Sequence, residues 1–157
     1  MSEGLAPISK ASGSCLCGTV TYEITPPFSK FAHCHCARCR KSTGAAHASN
    51  IYVLPAQFRW IGGDDSVARY DLPSALSFGK WFCRHCGSPV PRLSRSGRTY
   101  VVPAGSLDDD PAELPKARIF CGSAARWACV DDLPRYAEYA DWWEASINTA
   151  PRPPDQD

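Results

Sequence analysis

Three cysteines and two histidines fall within the seven residues His33–Cys39, in the stretch Ala32–Gly44, "AHCHCARCRKSTG". Thiolate and imidazole are the side chains that hold zinc and other borderline-soft metals. An odd set of three thiols can be a disulfide fragment, part of a closed structural metal site, or an open metal site that does chemistry. Two further clusters accompany it: Cys15 and Cys17 in "GSCLCGTV", and Cys83 and Cys86 in "WFCRHCGS". Together the three clusters account for seven of the nine cysteines.

Disulfides are a poor account of them. The count is odd, and Cys15-x-Cys17 and Cys34-x-Cys36 are too closely spaced to bridge well. The N-terminus "MSEGLAPISKASGS" lacks the apolar core of a secretory signal, and no apolar run approaches the roughly 20 residues that span a bilayer. The expected setting is therefore the cytoplasm, where thiols stay reduced.

Metal binding divides seven thiolates into four and three. Four close a tetrahedral structural site, and three leave one position vacant. Spacing admits two partitions. Cys36-x-x-Cys39 with Cys83-x-x-Cys86 would form a zinc ribbon. However, the 43 residues from Arg40 to Phe82 exceed the usual gap of about 15–20, and Cys15, Cys17 and Cys34 would be stranded. Joining Cys15 and Cys17 to Cys83 and Cys86 instead leaves Cys34, Cys36 and Cys39 together and uses every clustered cysteine. Economy favours the second. Gly18 and Gly87, each following a cysteine, can take the positive φ that tight metal knuckles need. Cys121 and Cys129 stand alone and read as small buried apolar residues.

The elements that must position these thiols are short. The chain has 157 residues, 44% hydrophobic and 21% charged, enough for one domain with a core. Its 11 glycines and 14 prolines are spread throughout. "TVTYEI" (Thr19–Ile24) alternates Val20, Tyr22 and Ile24 against polar positions, the pattern of a half-buried strand ended by Pro26 and Pro27. Further strands are expected at His47–Pro55, Phe58–Gly63, Val67–Leu72, Ser77–Cys83, Arg98–Leu107 and Ala117–Gly122. Aromatics at 136, 139, 142 and 143 predict one short C-terminal helix over Pro134–Ser146. The expected organisation is a flexible N-terminus over 1–11, a single zinc domain over 12–147, and a disordered proline-rich tail over 148–157. The fold class is mainly β, with mostly antiparallel strands. A net charge of +1 gives no electrostatic argument for nucleic acid or an anionic membrane.

The segments "GSCLCGTVTYEI", "CHCARCRKSTGAAH" and "FCRHCGSPV" stand in the order and spacing of the glutathione-dependent formaldehyde-activating enzyme family, which also includes the domain of centromere protein V. The chain resembles that family over roughly Ser12 to Pro134. The later "VVPAGSLDDD", "LPKARIFCGSAARW" and "DDLP" resemble its C-terminal half. The resemblance implies a β-tent of short antiparallel sheets organised around two zinc ions. It implies Cys15, Cys17, Cys83 and Cys86 as structural ligands and Cys34, Cys36 and Cys39 as ligands of a catalytic zinc. Glutathione and a small aldehyde such as formaldehyde are the implied substrates. In one respect the chain departs: where family members often have histidine before the Ile-Phe strand, it has Arg118.

Three thiolates around a divalent zinc leave a formal charge of −1, which suits binding a further thiol as thiolate better than activating water. The expected activity is a carbon–sulfur lyase or synthase that forms or cleaves a thiol–aldehyde adduct. A non-catalytic thiol binder or a structural zinc module used for protein contacts is the alternative. Arg38, Arg40 and Lys41 are candidates for glutathione's carboxylates, or else a solvated basic loop. Alternation around Cys34 puts His33 and His35 on the opposite face of an extended segment. His85 is expected in solvent, and His47 in a core or strand position.

Overall fold

The computed structural model describes residues 9–28, 30–129, 132–138 and 140. Apolar runs cut short by proline and glycine give strands of two to six residues. In chain order they are β1 (Ala11–Ser14), β2 (Thr21–Ile24), β3 (Lys30–Cys34), β4 (Ala48–Val53) and β5 (Phe58–Gly62). β6 (Val67–Asp71), β7 (Gly79–Cys83), β8 (Arg92–Leu93), β9 (Tyr100–Pro103) and β10 (Ala117–Ile119) follow. One α-helix, α1 (Ala37–Thr43), stands between β3 and β4.

The strands form three sheets: β1-β2-β5, β10-β3-β4-β9-β8, and the hairpin β6-β7. Among the described residues all pairings are antiparallel except β10 with β3, so the mainly antiparallel β reading holds with one parallel edge. No helix among the described residues is long and apolar enough to cross a membrane.

Val20, Tyr22 and Ile24 are fully buried, as their alternation predicts. Tyr22 and Ile24 pack with Phe31, Ile51, Val53 and Val102 between the two larger sheets. Each such side chain contributes about 1.5–3 kcal/mol on burial. Phe58 seals the edge, stacked on Tyr100 at 3.9 Å between ring centres. A second cluster joins Cys15 and Cys83 to Val20 and Val90, with Trp60 packed against both clusters. The third holds Cys34, Cys39 and Ala48 under Phe78 and Ile119. Thiols therefore take part in two of the three core clusters.

β1, β3, β8 and α1 have no counterpart among the expected elements. The sequence of β1, Ala-Ser-Gly-Ser, has no hydrophobic signature; Gly13 is there because a Cβ at that position would collide with the Tyr22 ring crossing over it. α1 has seven residues, too few for a helical period to show. Cys36 caps its start, its Sγ accepting the Cys39 amide at 3.4 Å, and Gly44 closes its end with φ 68°. The helix expected over Pro134–Ser146 is not found at residues 134–138, which take no helical form, and its remaining turns lie outside the described residues apart from Ala140.

Candidate metal centres

Two turns of the same design bring four thiols together. Between β1 and β2, the Cys15 amide donates to the Val20 carbonyl and the Gly18 amide donates to the Cys15 carbonyl, at 3.0 and 2.9 Å. After β7, the Cys83 amide donates to the Ser88 carbonyl and the Gly87 amide to the Cys83 carbonyl, at 2.9 and 2.8 Å. Gly18 and Gly87 take φ of 76° and 73°, which a residue with a Cβ would adopt only under strain. The Leu16 amide donates to Ser88 Oγ at 3.0 Å and locks one turn onto the other.

The sulfurs of Cys15, Cys17, Cys83 and Cys86 all lie within 4.8 Å of one another. Cys15 and Cys17 are 3.5 Å apart, and Cys17 and Cys83 are 3.8 Å apart. Four sulfurs about 2.3 Å from a central tetrahedral ion would sit about 3.8 Å from each other, close to these two separations. The seven clustered cysteines are all free thiols. Ser88 holds the Cys86 thiol down at about 5, whereas burial pushes Cys15 up to about 11. A metal would have to displace protons from the second but hardly from the first.

The other cluster comes from one continuous segment. Cys34 ends β3, Cys36 caps α1 and Cys39 lies in its first turn, with their sulfurs within 4.8 Å of one another. Cys34 and Cys39 are buried and their thiols are raised by that burial. For Cys36 burial acts upward too, but the Cys39 amide and the neighbouring thiols outweigh it and the net shift is downward. Three sulfurs at metal-ligand spacing, with no fourth Cys, His, Asp or Glu joining them among the described residues, make a donor set with a position to spare.

A cavity of about 460 Å³ opens onto these thiols. Cys34, Cys36 and Cys39 form one wall; Lys30, Tyr52, Phe78, Arg92 and Phe120 are among the others. Burial raises the Tyr52 phenol against a hydrogen bond from the Asn50 side chain, so it stays protonated. Burial lowers the Arg92 guanidinium, opposed by Tyr52, Cys39 and Asp71. Phe120 takes φ 56° and ψ 39°, the left-handed region, while remaining 60% exposed. A bulky residue held there stores about 1–2 kcal/mol of strain at the edge of the cavity. A larger cavity of about 640 Å³ lies between β1, β4 and the turn after β9; it touches the four-thiol cluster only at Cys15.

Of the cations expected to meet a ligand, Arg38 lies on the wall of the thiol cavity. Arg40 instead donates to the Ser123 carbonyl at 3.2 Å, and Lys41 is exposed on α1. Neither lines that cavity. Lys30, Tyr52, Arg92 and Phe120 were not singled out from the sequence. Nothing in "PRLSRSG" marks Arg92, because a two-residue strand shows no period.

The histidines keep apart from the thiols. His33 stacks on His47 at 4.1 Å, and His47 lies 5.0 Å from His35. His35 is buried, and neither of its ring nitrogens has a hydrogen-bond partner among the described residues. Arg118 pairs in register with His33 across β10 and β3 and, after burial, helps hold that imidazole below its ordinary value. His85 is exposed, with Nε2 3.2 Å from Ser66 Oγ. Cys121 is exposed rather than buried, contrary to expectation, because it opens a short 3₁₀ turn after β10; the Cys129 side chain lies outside what is described.

Residues 10–123 match the family model described as glutathione-dependent formaldehyde-activating enzyme. Among solved structures, the chain is similar to the crystal structure of a Rhodobacter sphaeroides protein, at 27% identity and a TM-score of 0.52. That similarity covers 68% of this chain and 97% of the other. No curated protein matches the chain.

Proposed function

The chain belongs to the glutathione-dependent formaldehyde-activating enzyme family, and from that premise we propose that it is a zinc-dependent carbon–sulfur lyase or synthase. It joins glutathione, or a similar thiol, to formaldehyde or another small aldehyde, or runs the reverse cleavage. The observation that carries the reading is the three-thiol cluster at the wall of an open cavity, beside a four-thiol cluster that is complete in itself.

One zinc belongs to each cluster in this reading. Cys15, Cys17, Cys83 and Cys86 hold a structural ion; Cys34, Cys36 and Cys39 hold a functional one. An ion held by three thiolates would offer a remaining position to a further thiol and favour its deprotonated form. The protein's own groups then orient the reactants. Phe78, Val101 and Phe120 give the cavity apolar surface that limits water around the sulfur. Tyr52 presents a protonated phenol beside the thiols, and Lys30, Arg38 and Arg92 supply positive charge. In the net reaction a bond forms between the thiol sulfur and the carbonyl carbon. The carbonyl π pair moves to oxygen, and the proton lost by the thiol ends on that oxygen. A cytoplasmic setting goes with this reading, supported by the free thiols.

The test is the rate of S-(hydroxymethyl)glutathione formation with stoichiometric zinc-loaded protein against none. Acceleration beyond the spontaneous rate is the expected result. Measurable glutathione binding without acceleration would reduce the protein to a thiol carrier for formaldehyde.

A further inference from the structure

Among the described residues, the thiol cavity is lined by three cations, Lys30, Arg38 and Arg92, and by no carboxylate. Lys30 and Arg38 are exposed and belong to its rim, while Arg92 is half-buried in β8, in register with Val101 of β9. The two guanidinium carbons of Arg38 and Arg92 lie 5.6 and 5.8 Å from the centre of the same Phe78 ring. Two like charges are thus gathered around one apolar side chain. Beyond the Phe78 ring, the Arg92 side chain has no hydrogen bond and no salt bridge among the described residues.

A guanidinium has five N–H donors in a planar fork, and those of Arg92 are free to meet a ligand in the cavity that it lines. The group that fits the fork is a carboxylate, which takes two parallel N–H bonds. We propose that Arg92 is the anion-recognition residue of the thiol cavity: it takes a carboxylate of the incoming thiol, with Arg38 adding charge at the rim. The site therefore selects thiols that carry an anionic group over neutral ones. This rests on the reading that the cavity takes a thiol. The competing role for Arg92, balancing the charge of the cysteine thiolates, predicts a different result.

The experiment uses the full chain loaded with zinc and three thiol probes: glutathione, 3-mercaptopropionate and 2-mercaptoethanol. Affinities are measured by calorimetry for wild type, Arg92→Met and Arg92→Lys, with metal content determined for each. Arg92→Met is expected to weaken glutathione and 3-mercaptopropionate by about 10- to 100-fold. It should weaken 2-mercaptoethanol much less than the two anionic thiols and leave both metals bound. Arg92→Lys should fall between, because it keeps the charge and loses the fork. Equal losses for all three thiols, unchanged glutathione affinity, or loss of metal in Arg92→Met with metal kept in Arg92→Lys would overturn the assignment. Wild-type protein that binds none of the probes would overturn the thiol reading itself, and the two failures cannot be confused.

Discussion

The four-thiol and three-thiol clusters use the same donor atom, but the chain reaches them in opposite ways. Cys15 and Cys17 come from the turn leaving β1, and Cys83 and Cys86 from the turn leaving β7. An ion held there ties the β1-β2-β5 sheet to the β6-β7 hairpin. Cys34, Cys36 and Cys39 come from a single run across β3 and α1, so an ion held there links the chain only to itself. Backbone strain follows the same division. The four-thiol turns place glycines at positive φ, whereas the segment flanking the three-thiol cavity places Phe120 there.

The contrast breaks most visibly at Cys83. Cys83→Ser should abolish the cooperative thermal transition and release metal, because binding at a structural zinc of this type amounts to about 10–16 kcal/mol of folding energy. Retention of a native near-ultraviolet spectrum with full melting amplitude would show that the four-thiol cluster does not cross-link the sheets.

Cys36→Ser should do the reverse. Serine is a good helix cap and keeps an acceptor for the Cys39 amide, so the fold and most of the melting temperature should survive. One metal and thiol binding should be lost, as metal analysis and titration with glutathione would show. Collapse of the fold would make the open cluster structural as well.

Lys80 sharpens the comparison, because it links the two regions. It lies in β7, three residues before Cys83, and its Nζ donates to the Ser42 carbonyl at the end of α1 at 2.6 Å. Lys80→Met should cost about 1–2 kcal/mol, or roughly 2–8 °C in melting temperature, and leave both metals bound. Faster hydrogen exchange confined to α1 is the expected signature; exchange spreading to β7 would mean that the clusters share one folding unit.

The smallest effect should come from Phe120→Gly. Relief of about 1 kcal/mol of strain offsets the loss of a mostly exposed ring, so the melting temperature should change by no more than a few degrees. Thiol affinity should fall while metal content holds. A clear drop in melting temperature instead would assign Phe120 to packing.

Much of this was legible in the residues. Clustering within a few positions brings thiols near one another in almost any fold, so the existence of metal-ligand groups followed from spacing. The glycines after Cys17 and Cys86 followed from knuckle geometry, and the burial of Val20, Tyr22 and Ile24 from strict alternation. The aromatic spacing after Pro134 gives no helix at residues 134–138, and the rest of that stretch lies outside the described residues apart from Ala140.

Pairing across long separations belonged to the tertiary structure. That Cys15 and Cys17 lie beside Cys83 and Cys86 depends on how the hairpin meets the first sheet, for which local spacing offers only an argument from economy. The cavity is more dependent still. Lys30, Tyr52, Arg92 and Phe120 reach it from four different strands or turns, none adjacent in the chain. Sequence determined which atoms could bind a metal, because ligand chemistry is a property of residue type and short spacing. Only the sheet pairings decided which cysteines gather as four and which as three, and which cations line the cavity, because those are distances between segments that no local pattern encodes.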